Sequence, residues 1–223
     1  MMFNALFLLG GTFWIACYLL IIRSTARDRV TGMPLLAVAA NISWEFVYSF
    51  ITPYPTFLHP AIIVWFLLDL VIVWQTLRHA PAQFSRMSKA AVYSSLLLGG
   101  LVAVPLTLAL GKALNDPWGV YAAYLSNLMM SSLFLAMLYQ RGSSQGQSMG
   151  IALTKLLGTA SVSAAFGIFS PRFHSDPLLI TLYLATFAVD SAYVLALLRT
   201  RTTEDRKCLP HVPTVGQPLA GSP

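Results

Sequence analysis

Apolar residues dominate seven stretches of the chain, at 3–22, 34–50, 60–78, 90–110, 118–139, 149–168 and 177–199, and polar residues collect between them. Each stretch is near the length of helix that crosses about 30 Å of hydrocarbon. Pro34, Pro60, Pro117 and Pro177 stand at or near the starts, where a missing amide hydrogen does little harm. Gly32, Gly111, Gly142 and Gly146 punctuate the connections. The pattern predicts an all-α protein: one seven-helix transmembrane domain over residues 1–200, then a disordered tail over 201–223. Beyond Lys207 that tail turns to Pro, Gly and Ser without apolar periodicity.

Composition strengthens the membrane reading. The 223 residues are 57% hydrophobic and 10% charged, with a mean hydropathy of +0.68, whereas a soluble domain carries roughly 25% charged residues. The first stretch lacks a basic leader and is followed by Arg23, Arg27 and Arg29 rather than a small-residue cleavage site, so it is expected to stay as a first span.

Charge then sets the expected orientation. Arg23, Arg27 and Arg29 follow span one, Arg78, Arg86 and Lys89 flank the third connection, and Arg141 lies in the fifth. Arg199, Arg201, Arg206 and Lys207 follow span seven, while the opposite side has only Lys112 and Arg172. Lysine and arginine favour the cytoplasmic side, so the N-terminus is expected outside and the C-terminus inside. The net charge of +6 sits at span ends, where it anchors in lipid headgroups, so membrane lipid and not nucleic acid is the expected partner. Cys17 and Cys208 are too few and too differently placed for a disulfide framework or metal site.

Three acids do not fit a lipid-facing surface. Asp28, Asp116, Asp176, Glu204 and Asp205 fall in connections or the tail, but Glu45, Asp69 and Asp190 lie inside spans. A charged group there is costly unless it faces the bundle interior, which makes each a functional candidate. At ~1.5 Å per residue, Glu45 is about 16 Å from the cytoplasmic end of span two, and Asp69 and Asp190 are about 13 Å from Arg78 and Arg199. Asn127 reaches a similar depth, and Asn41 is one turn from Glu45. Trp44 and Tyr48 accompany Glu45, Trp65 precedes Asp69 by a turn, and Tyr193 follows Asp190 at i+3 on the same face. A polar, aromatic-walled pocket near the bilayer centre is expected, its rings able to stabilise a cation.

No clustered pair of acids inside a span is placed to hold magnesium and a diphosphate. His59, His79, His174 and His211 lie outside the spans, and span seven has no lysine for a retinal Schiff base; Lys155 lies in span six near its cytoplasmic end. Neither metal nor cofactor is expected.

The pattern N-x-x-W-E-x-x-Y at Asn41, Trp44, Glu45 and Tyr48, with W-x-x-x-D at Trp65 and Asp69 and D-x-x-Y at Asp190 and Tyr193, resembles the integral membrane terpene cyclases. That family serves fungal meroterpenoid and indole-diterpene pathways, with bacterial relatives that cyclise prenylated indole alkaloids. The resemblance implies that acids in spans two and seven, matching Glu45 and Asp190, protonate an epoxide or terminal alkene of a prenylated small molecule and start a cation cascade. Asp69 matches the family's third-span acid. The compact length is nearer the bacterial members; a bacterial chain would sit in the cell membrane, a fungal one in an endoplasmic reticulum type membrane.

The chemistry of the residues is consistent with that role. A carboxyl in an apolar medium favours its neutral form and can act as a general acid, while apolar walls exclude water that would quench a cation. Glu45 and Asp190 are expected to form one proton-donating site, lined by Asn41, Trp44, Tyr48, Trp65, Asn127 and Tyr193. The alternative is a proton-coupled transporter, since buried acids also build proton relays. Against it, spans one to three and five to seven show no convincing repeat, and Pro105 in span four is a rare break within a span.

Overall fold

A computed structural model describes residues 1–54, 58–84 and 87–208, the last three by their backbone alone. Arg86 and the chain beyond Cys208 lie outside the described residues. Among the described residues seven α-helices follow one another: α1 (Met2–Asp28), α2 (Leu35–Phe46), α3 (His59–Gln83), α4 (Lys89–Ala113), α5 (Val120–Arg141), α6 (Met149–Phe169) and α7 (Pro177–Cys208). There is no strand among the described residues.

Six of these helices are long and apolar enough to cross a membrane, and α2 is the exception. Its α-helical part is 12 residues, extended by a five-residue π-helical turn, Val47–Ile51, in which the Thr52 amide donates to the Val47 carbonyl at 2.8 Å. Prolines bound it: Pro34 caps the start in an extended conformation (φ −62°, ψ 141°), and Pro53 follows the π turn. Proline supplies no amide hydrogen and disfavours helix in the residue before it, so the element cannot grow either way.

Helix α7 departs from expectation in the other direction. Residues 201–208, expected as the start of a disordered tail, continue the helix to Cys208. Glu204 explains much of the extension: its carboxylate accepts from the Ser144 amide at 2.8 Å and the Ser144 hydroxyl at 2.7 Å, tying α7 to the α5–α6 connection. The same end of the bundle is stitched by Arg141, which donates to the Thr31 and Gln145 carbonyls at 2.8 Å each. Asp28 accepts from the Gly146 amide at 2.7 Å.

Packing is tightest where side chains vanish. At Gly10 a Cβ would meet Val162 Cγ2 at 2.6 Å and the Gly158 carbonyl oxygen at 2.9 Å, so α1 and α6 touch nearly backbone to backbone. Small residues at such crossings supply the van der Waals contact that holds helices together in lipid, where apolar burial gives no drive. Helix α5 packs on α7, α2 on α4, and α3 against α1 and α2. Helix α4 is peripheral: only Val92 and Thr107 are buried along it, while Leu97, Leu98, Leu101, Val102 and Leu106 face outward. Such an apolar exterior is what a bilayer solvates.

Candidate active site

Between α1, α2, α3, α5 and α6 the bundle encloses a cavity, about 740 Å³ of empty space counted to its open mouth. Its walls are largely aromatic, with Phe7, Trp14, Trp44, Tyr54, Trp65, Trp118 and Phe166 among them. Four of the chain's five tryptophans, all but Trp74, line it. Gly11 makes room for one: a Cβ there would lie 3.3 Å from the Trp65 ring.

One end is closed by ring-on-ring contacts. Trp118 meets Phe3, Tyr54 and Phe166 edge-on, with centroids 6.0, 5.4 and 6.1 Å apart, and Trp44 Nε1 donates to the Gly119 carbonyl at 2.9 Å. The connection carrying Trp118 is held by Asp116, whose carboxylate accepts from the Trp118 amide at 3.1 Å and the Tyr121 amide at 3.0 Å. Burial pushes that carboxyl up from its ordinary range against the pull of these bonds. Gly119 occupies the left-handed region (φ 63°), and a Cβ there would strike the Tyr48 ring at 2.2 Å. Only glycine meets both demands.

The polar groups form two clusters. In the first, Tyr18 donates its hydroxyl to Glu45 Oε1 at 2.7 Å, and the Asn41 amide nitrogen lies 2.7 Å from Asp69 Oδ2 and 3.2 Å from Glu45 Oε1. Asn41 also donates to the Tyr18 oxygen. Glu45 and Asp69 are thus joined through the Asn41 nitrogen, and they are 1% and 0% exposed. Neither forms an ion pair among the described residues. Glu45 Oε2 and Asp69 Oδ1 are buried with no hydrogen-bond partner among the described residues. Two buried carboxyls on one amide nitrogen, without a cation, hold a proton far more readily than they carry two negative charges.

In the second cluster the acid has a cation. Lys155 donates to Asp190 Oδ1 at 2.7 Å, to Asn127 Oδ1 at 2.9 Å and to Ser131 Oγ, with Lys155 0% and Asp190 1% exposed. The ammonium lies 5.7 Å from the Trp14 ring.

Of the expected site residues, Glu45, Asn41, Trp44, Trp65 and Asn127 line the cavity, and Asp69 stands behind Asn41. The structure does not build the expected pairing of Glu45 with Asp190: Lys155 donates to Asp190, while Tyr18 and Asn41 donate to Glu45. Tyr193 is buried away from the cavity, its ring against Phe134 at 5.6 Å and its hydroxyl unpartnered. Tyr48 lies on the π turn and lines a second cleft with Leu108, Lys112 and Asp116. Tyr18 was not singled out in the sequence, having no acid near it along the chain. Lys155, read there as a residue near a span end, is fully buried.

An outward apolar surface, a polar centre and an aromatic cavity describe a multi-pass membrane protein with an internal pocket. The comparisons give the class its family: the chain belongs to the Pyr4-like transmembrane terpene cyclases, whose pattern it matches over residues 1–203. It is similar to the terpene cyclase olcD of Penicillium canescens, 32% identical over 211 residues covering 89% of this chain and 85% of that one. It is also similar to the terpene cyclase pyr4 of Aspergillus fumigatus, 31% identical over 215 residues covering 88% and 86%. No solved structure gives a significant match. An enzyme, rather than a transporter, is what the family supports.

Proposed function

We propose that the protein is a terpene cyclase that protonates an epoxide or alkene of a prenylated substrate of meroterpenoid or indole-alkaloid type. Glu45 supplies the proton, and Asp69 and Asn41 hold it in place. The reading rests on one observation above the others: Glu45 reaches the aromatic cavity, carries no counter-ion, and leaves one buried oxygen unpartnered. Tyr18 bridges Glu45 to the cavity wall and can pass the proton on. Once the cation forms, the faces of Trp14, Trp44, Trp65 and Trp118 stabilise it as it moves. The last intermediate loses a proton, so substrate and product are isomers.

The initiation we propose needs no metal. No group of three or more His, Cys, Asp or Glu able to hold one occurs among the described residues, and the acid pair supplies the proton directly. We take the orientation from the basic residues, with the N-terminus outside and the C-terminus in the cytoplasm, which requires that α2 with its π turn, Leu35–Ile51, cross as a short seventh span. The membrane would be the cell membrane in a bacterium and of the endoplasmic reticulum type in a fungus.

The test is turnover by purified protein in detergent with farnesylated and epoxyfarnesylated aromatic acceptors, products separated by mass and retention. Wild type is expected to give a cyclised isomer of at least one probe with a chelator present, and Glu45→Gln to give none. Cyclisation by folded Glu45→Gln at the wild-type rate would remove the acid assignment.

A further inference from the structure

The second polar cluster is elaborate for a group that does not reach the cavity. Lys155 and Asp190 both lie outside the lining, yet Asn127, which Lys155 holds, is in it. An ammonium has three donors and no acceptor. Here all three are spent, on Asp190 Oδ1, Asn127 Oδ1 and Ser131 Oγ. Ser131 is fixed in turn, since its own hydroxyl donates to the Asn127 carbonyl at 2.8 Å.

The consequence falls on the Asn127 amide. Its oxygen must face Lys155, because the flipped amide would set NH₂ against NH₃⁺, donor against donor. The nitrogen then points away from the ion pair, and one of its hydrogens goes to Thr159 Oγ1 at 2.9 Å. Thr159, used as an acceptor, keeps its own hydroxyl hydrogen free, and Asn127 keeps a second N–H. Both residues line the cavity. On the residue before Asn127, Ser126 also lines the cavity, and its Oγ is buried with no hydrogen-bond partner among the described residues. The α5–α6 wall therefore carries unspent hydrogen-bond donors, whereas the Glu45 side carries unpaired carboxyl oxygen.

We infer that Lys155 and Asp190 are positioning residues which lock Asn127 so that Asn127 and Thr159 present donors to an acceptor oxygen on the substrate. This deepens the cyclase reading and rests on it. The substrate it selects is a prenyl chain whose head group bears a carbonyl, ether or hydroxyl oxygen. That oxygen docks on α5 and α6 while the reacting end lies at Glu45. Asp190 acts through Lys155 and gives no proton to the substrate.

The test reads binding, so that its failure is separable from a failure to cyclise. Quenching of the cavity tryptophans reports the affinity of two probes in detergent: an epoxyfarnesyl benzoate ester, and epoxyfarnesylbenzene, which lacks the head-group oxygens. Asn127→Asp keeps an acceptor toward Lys155 but deletes the donor. It is expected to weaken the ester about tenfold, the scale of one or two lost hydrogen bonds, while epoxyfarnesylbenzene changes less than about twofold. Lys155→Met frees the amide to flip and should show the same selective loss; where it folds poorly, Lys155→Met/Asp190→Asn, which removes both charges, takes its place. Equal weakening of both probes in Asn127→Asp would mean a structural role, and no weakening of either would mean that the wall binds no oxygen. Either result overturns the inference, whether or not the wild type turns a probe over.

Discussion

Two buried acid sites lie in one bundle, and they are built on opposite terms. Glu45 and Asp69 share the Asn41 nitrogen and, among the described residues, have neutral hydrogen-bond donors only, Tyr18 and Asn41. Asp190 has a lysine at 2.7 Å. In a medium of low dielectric a charge must be matched or neutralised by a proton. On the proposed reading the first site offers a proton beside an aromatic cavity, and the second serves as a fixed post. In that proposal, carboxyls of the same depth and burial divide between chemistry and positioning by what stands next to them.

The contrast is sharpest under amide substitution. Glu45→Gln preserves shape and most hydrogen bonding but has no acidic proton, so we predict a fall in cyclisation of roughly one hundred- to ten thousand-fold, the usual weight of a general acid. Its thermal unfolding temperature in detergent should stay near that of wild type. Lys155→Met reverses the pattern. It strands the Asp190 carboxylate, and breaking a buried pair on one side costs about 3–5 kcal/mol, to be read as a lowered unfolding temperature. The double variant Lys155→Met/Asp190→Leu removes both charges and should regain most of that stability. A lasting loss in the double variant would mean that the pair does more than satisfy its own charges.

Smaller effects probe the neighbours of each acid. Asp69→Asn keeps the acceptor for Asn41 but ends the sharing of a proton between two carboxyls, so cyclisation should fall, by less than in Glu45→Gln. Tyr18→Phe deletes one hydrogen bond to Glu45, a change worth about 0.5–1.5 kcal/mol, and the rate should drop up to about tenfold with the fold intact. An unchanged rate in Tyr18→Phe would remove the phenol from the proton path.

The sequence made the first site readable because its parts announce themselves locally. An acid inside an apolar run, an amide one turn away and tryptophans beside it marked Asn41, Trp44, Glu45, Trp65 and Asp69 before any fold was known. Helix count was equally legible from apolar runs and prolines, although Pro34 and Pro53 also foretell that α2 is short. What stayed hidden depends on contacts between helices. Tyr18 reaches Glu45 across 27 positions of chain and Lys155 reaches Asp190 across 35, and neither residue carries a local sign of its partner. Lys155 sits six residues into α6, where a lysine would ordinarily extend toward the headgroups. It turns inward because Asn127, Ser131 and Asp190 converge on it from α5 and α7. Helix rotation decided Tyr193 in the same way: i+3 spacing put it on the face of Asp190, but that face packs on Phe134 and not on the cavity.

Where the transferable proton resides is directly measurable. Difference infrared spectroscopy of purified wild type and of the variants Glu45→Gln, Asp69→Asn and Asp190→Asn reads the C=O stretch of a protonated carboxyl, which a carboxylate lacks. Such a band is predicted in wild type at neutral pH, lost in Glu45→Gln, shifted or lost in Asp69→Asn, and retained in folded Asp190→Asn. A band that survives Glu45→Gln and disappears only in Asp190→Asn would put the proton on the acid beside Lys155 and contradict the division of roles between the two sites.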